Sequence, residues 1–94
     1  MNTPRTYTKK PVTVQAMKWT GDNTEEIREF TADGFDPIDP NEREPGSEIV
    51  AEVWDYLHST WVGVKIGQWI IEGVQGEHYP CDDDVFTATY EETS

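Results

Sequence analysis

Two histidines, one cysteine and a run of three aspartates are the residues of this 94-residue chain whose types could do chemistry. A cysteine nucleophile needs a neighbouring base or a depressed thiol pKa. Cys81 instead precedes Asp82, Asp83 and Asp84. Their charges raise a thiol pKa unless the N–H groups of a following turn outweigh them, so an inert, buried thiol is expected. His58 falls in an expected turn before Trp61, where its imidazole would bond the turn backbone, with a polar ligand contact as the alternative. Asp82, Asp83 and Asp84 lack the spacing of a calcium loop; helix capping and solvation account for them. His78 alternates along a strand with Glu77 and Tyr79 and points away from both. No zinc spacing joins His58, His78, Cys81 and the acids. Gly63, Gly67, Gly73 and Gly76 sit where turns and bulges are needed and do not form a phosphate loop. No catalytic residue, metal or cofactor is expected, and an enzyme ranks below a binding protein.

The aromatic residues point to binding more directly. Four Trp, four Tyr and three Phe are many for so short a chain. Some must fill the core, and the rest suit an interface or a ligand wall. In strand geometry Trp54 and Tyr56 share one face, with Val53, Asp55 and Leu57 on the other. Across the turn, Trp61 would pair with Tyr56 or Leu57. An aromatic stripe of this kind is first a helix-facing core. The helix expected here brings only Ile27 and Phe30, which leaves Trp54, Tyr56, His58, Trp61 and Trp69 as a possible binding face, homo-oligomer interface or small-molecule wall.

Charge divides the chain. The net charge is −12. Arg5, Lys9, Lys10 and Lys18 lie in the first 19 residues with no acid among them; beyond residue 19 all 19 acids face only Arg28, Arg43 and Lys65, a balance of −16. Direct nucleic-acid binding is excluded on this ground, because phosphate neutralisation needs clustered cations. Solubility explains an acidic surface first; engagement of a basic patch on another protein is the sharper reading. The basic start opens a second possibility, a nucleotide-like ligand held by Lys9 and Lys10, with Arg5, Lys18 and a stacking Trp19.

The elements that must position these residues follow from periodicity. Residues 1–10 read as a flexible tail and residues 11–94 as a single α+β domain. Val12, Val14 and Ala16 alternate with polar positions, predicting a strand over 11–19. Asn23 or Thr24 caps a short helix over about 23–32, ended by Asp33-Gly34 with Gly34 in the left-handed conformation. Residues 35–47 hold three prolines and several acids and read as a loop pinned by Phe35 and Ile38. Residues 48–57 and the Trp61–Lys65 segment form a hairpin about the turn 58–60. Residues 68–73 and 76–81 form another about Gly73–Gly76. A last strand is expected over Val85–Tyr90 after one helical turn started by Asp82 or Asp83. The sum is a small antiparallel sheet of five or six strands with one helix packed on it; an SH3-like barrel with an inserted helix is the runner-up.

The opening KKPVTVQAMKWTGDN and the later run YLHSTWVGVKIGQWIIEGVQGEHYPCDDDVFTATYE together cover about half the chain. In their order and spacing they resemble a widespread family of small phage and prophage proteins. Members start with basic residues, a Pro-Val strand ending in Trp and a short acidic helix. They end with a Leu-His-x-Thr-Trp turn, a Pro-Gly-Asp turn, a Gly-Glu-x-Tyr-Pro hairpin and an Asp-x-Phe…Thr-Tyr-Glu close. Here Ile66-Gly67-Gln68 replaces Pro-Gly-Asp. The resemblance implies a phage-encoded accessory protein and transfers no catalytic residue. The expectation is a non-enzymatic protein in the host cytoplasm that modulates a host protein. A nucleotide-sequestering oligomer and a minor virion component are the alternatives. No apolar run approaches the ~20 residues of a membrane span.

Overall fold

The computed structural model describes residues 3–8 and 10–93. It is an α+β structure with two three-stranded antiparallel sheets, not one sheet of five or six strands. In chain order come β1 (Gln15–Lys18), α1 (Thr24–Phe30), β2 (Phe35–Pro37), a 3-10 turn (Pro40–Glu42), β3 (Ile49–Asp55), β4 (Thr60–Lys65), β5 (Trp69–Glu72), β6 (His78–Cys81) and α2 (Asp83–Thr89). One sheet has the order β1-β5-β6 and the other β2-β3-β4. Both hairpins that the sequence suggests are present, as the β3–β4 and β5–β6 pairs.

The break between sheets falls at Ile66-Gly67. Gly67 takes φ 94°, and Gln68 N–H closes the turn on the Lys65 carbonyl at 3.2 Å. The Gln68 side-chain oxygen accepts the Lys65 N–H at 2.7 Å. β5 then pairs with β1, from Gln15↔Glu72 to Lys18↔Trp69. These six strands are not closed into a barrel: β1, β6, β2 and β4 are all edges. Pro37 and Pro80 lie on edge strands β2 and β6, where a missing N–H is tolerated.

The core gathers between the sheets and under α1. Ala51, Val53 and Val64 meet Ile70, Ile27, Phe35 and Trp19, all at 3 % exposure or less. Trp19 and Phe35 pack edge to face with ring centres 5.1 Å apart. As the helical spacing predicts, Ile27 is fully buried and Phe30 packs beside the cluster. β5 reads Trp-Ile-Ile because both its faces are covered. Ile70 faces the core, while Trp69 lies on the other face with Phe86 of α2 stacked on it at 4.2 Å.

Several local expectations are corrected. β1 is shorter than 11–19, because β5 ends opposite Gln15 and the chain turns away at Gly73, leaving residues 11–14 no partner there. The 35–47 segment is not all loop: Phe35–Pro37 pairs with Val53–Ala51, and the Asp39 carboxylate caps the 3-10 turn by accepting the Asn41 N–H at 2.9 Å. Gly34 is not the left-handed residue after α1; Ala32 and Asp33 are, at φ 54° and 67°. Gly34 is needed for space instead, since a Cβ there would lie 3.1 Å from the Thr31 carbonyl and 3.4 Å from Trp54 Cβ. Asn23 precedes α1 but does not cap it with its side chain, which bonds Thr20 N–H and the Lys18 carbonyl.

The largest correction is the end of the chain: in place of the strand expected over Val85–Tyr90 stands α2, with Tyr90 extended at its C-cap. β-branched Val85, Thr87 and Thr89 favour a strand locally. The helical repeat instead brings Phe86 and Tyr90 together at 5.1 Å and sets Phe86 on Trp69. Thr87 and Thr89 hydroxyls donate to the carbonyls four residues back, at 3.0 and 2.7 Å.

Candidate functional site

The outer face of β3 and β4 carries the site. Alternation sends Ala51, Val53 and Asp55 inward and Glu52 and Trp54 outward. The register sets Trp54 directly opposite Trp61, not Tyr56 or Leu57 opposite it. The two indoles meet at 5.5 Å with planes inclined 60°. They remain 36 % and 44 % exposed, and Tyr56 48 %, so this aromatic stripe is not helix-facing core. Tyr56 is nevertheless fixed, because its hydroxyl donates to the Gln75 carbonyl in the β5–β6 turn. Trp54, Tyr56 and Trp61 thereby form one wall of an open groove of about 610 Å³ whose other walls include Asp33, Gly34 and His78.

Asp33 and Gly34 reach the groove because the left-handed pair after α1 turns the chain sharply into β2. The Gly34 carbonyl accepts the Trp54 N–H at 2.8 Å, tying this corner to β3. His78 packs edge to face on Phe30 at 5.3 Å, and its Nε2 is buried without a hydrogen-bond partner, 3.9 Å from a Glu72 oxygen. Burial pushes this imidazole below its ordinary 6.5, against the opposing pull of Glu72 and Glu77.

The remaining expected site residues scatter. His58 lies in the turn beyond β3, its side chain 74 % exposed, with Nδ1 2.7 Å from the inward Asp55 carboxylate and not on the turn backbone. That bond holds the Asp55 carboxyl below 3.8, with burial acting the other way. Trp69 is committed to α2: Phe86 stacks on it, and its indole N–H donates to Asp83 at 2.8 Å. Trp19 is core at 3 % exposure, so the stacking role expected of it has no free ring face. Lys18 pairs with Asp83 at 3.5 Å. Lys10 is exposed and lines a separate cavity of about 900 Å³ between the segment before β1 and the end of α2. Lys9 lies outside the described residues.

Cys81 and the aspartates are arranged for structure. Burial first, then Asp82 and Asp84, push the thiol up, the reverse of an activated thiolate. Asp82 stands at the N-cap of α2 without capping it; its carboxylate accepts from Gln68 Nε2 at 2.8 Å. Asp83 receives Trp69 and Lys18, which hold its carboxyl below 3.8. Asp33, Gly34 and Gly76 were not legible as groove residues, because they come from two loops distant in sequence; the Asp33-Gly34 helix stop was the only signal.

Among the described residues no helix is long and apolar enough to cross a membrane. Comparisons with protein-family models, curated proteins and solved structures gave no match.

Proposed function

We propose that this chain is a non-enzymatic accessory protein, phage-encoded, that acts in the host cytoplasm by binding and modulating a host protein through an acidic and aromatic surface. The observation that carries this reading is the exposed Trp54–Trp61 pair, braced by Tyr56, on the outer face of β3 and β4. Large aromatic side chains left in water on a rigid sheet cost solvation and are enriched where a partner later covers them. Charge supports the same reading. On that face Glu52 neighbours Trp54, and Asp36 pairs with Glu52 across β2 and β3. Beyond residue 19 the chain carries a balance of −16, which favours encounter with a basic surface. The phage setting rests on the resemblance read from the two sequence blocks. Cys81 lends no support to nucleophilic chemistry, since its thiol pKa is raised.

The test is retention of a partner from bacterial lysate by the immobilised protein. Wild type is expected to hold one protein stoichiometrically, and the exposed double variant Trp54→Ala/Trp61→Ala to lose it by at least tenfold, about 1.4 kcal/mol or more. A wild-type protein that retains no stoichiometric partner overturns the reading.

A further inference from the structure

We infer that the groove between the Trp54–Trp61 pair and the loop after α1 receives an arginine side chain of the protein partner. This assignment rests on the binding-protein reading and specifies what is recognised. Three aromatic rings, Trp54, Tyr56 and Trp61, border one space of about 610 Å³, and among the described residues no lysine or arginine lines it. Aromatic faces are negative at their centres and attract a cation set against them, indole most strongly. Asp33 adds a carboxylate to the same walls. The Tyr56 hydroxyl hydrogen is spent on the Gln75 carbonyl, leaving its oxygen as an acceptor. Other nearby cations are engaged elsewhere: Arg28 donates to the Phe35 carbonyl at 3.2 Å and pairs with Asp36 at 3.4 Å.

Complementarity therefore selects a cation over an apolar plug, and aromatic rings beside a carboxylate favour guanidinium over ammonium. A guanidinium is planar, stacks on indole and still directs N–H donors at a carboxylate; an ammonium is compact and more strongly hydrated. The two indoles brace each other edge to face at 5.5 Å, which holds both rings at the border of the groove.

The probe is N-acetyl-arginine amide, titrated into the full chain while the two indole N–H signals of Trp54 and Trp61 are followed by NMR. Saturable shifts with Kd on the order of 10 mM are expected, the weak affinity proper to one side chain without its flanking peptide. N-acetyl-lysine amide should bind at least threefold more weakly, and N-acetyl-leucine amide should leave both signals in place. Asp33→Asn, which tolerates the same left-handed backbone, should weaken the arginine probe at least threefold while the rest of the spectrum is preserved. Absence of saturable shifts, equal shifts with the leucine probe, or an unchanged titration in Asp33→Asn overturns the assignment. Shifts of these two signals on raising protein concentration, abolished by Arg5→Gln, would give the groove to a second copy and also overturn it. None of these results affects the broader reading, which fails only when the lysate experiment yields no partner.

Discussion

His78 shows how one buried polar atom sets a measurable property. Its Nε2 has no hydrogen-bond partner and burial holds its pKa below 6.5. The folded chain therefore resists a proton that the unfolded chain accepts. Stability from this group is complete above pH 6.5 and declines as pH falls from 6.5 towards the depressed folded value. Asp55 acts in another window: its folded pKa lies below 3.8, so its contribution is complete above the unfolded value and is lost only in stronger acid. Urea unfolding at pH 7.5 and 5.5 separates the two. Wild type should lose stability between these values and His78→Gln should lose less; equal losses would show that the imidazole is not the titrating group. Some of these residues could be weighed from sequence. The reading of Cys81 as unactivated agrees in direction, although burial and not the aspartates leads. The expectation for Asp82 as a cap fails because Gln68, distant in sequence, competes for its carboxylate.

Among the elements, α2 departs most from its local sequence preference. Its seven residues could not hold a helix alone. Stacking of Phe86 on Trp69, the Trp69–Asp83 hydrogen bond and the Lys18–Asp83 pair hold it against β1 and β5. Tyr90 reaches the same sheet: burial, and then Tyr90 beside it, push the Tyr79 hydroxyl up to about 12. Truncation by Phe86→Ala should cost roughly 2 kcal/mol, below the ~3–5 of a fully buried aromatic because this ring is half exposed. Hydrogen exchange should show Phe86 and Tyr90 amides losing protection while Val53 and Val64 keep theirs. Retained protection at Phe86 and Tyr90 would mean that the stacking does not hold the helix. Strands were easier to read. Period-two alternation and glycine turns are local signals, so both hairpins stand as expected, with boundaries shortened where partners end.

Charge acts on the molecule entire. The cations after Lys10 other than Arg43 are in acid pairs, Lys18 with Asp83, Arg28 with Glu25 and Asp36, and Lys65 with Glu48. These are too few to offset 19 acids, and surface pairs of this kind contribute about 0–1 kcal/mol each. Self-repulsion is therefore uncompensated at neutral pH. Raising NaCl from 0.01 to 0.5 M contracts the screening length from about 30 Å to under 10 Å and should stabilise the fold. A gain on the order of 1 kcal/mol would lift Tm by about 4–8 °C in a chain of this size. A Tm that falls or stays flat in scanning calorimetry would show that the acidic surface is already balanced. The same salt should weaken capture of a basic partner, so stability and binding are expected to move in opposite directions.

The sequence alone determined the α+β class, the β3–β4 and β5–β6 hairpins and the acidic imbalance, because each rests on neighbouring residues or on a count. Tertiary packing decided which strands share a sheet, since the turn at Gly67 serves either a continuing ladder or a crossing to β1, and only the partner available to β5 selects between them. It decided that Val85–Thr89 is helical, because Trp69 offered Phe86 a face that local propensity could not anticipate. It also decided which tryptophans are free. Trp19 directly follows β1 and Trp54 lies in β3, yet the first is covered by Phe35 and the core while the second faces water beside Trp61. Burial is a property of what packs across from a residue, and that is set by the whole chain.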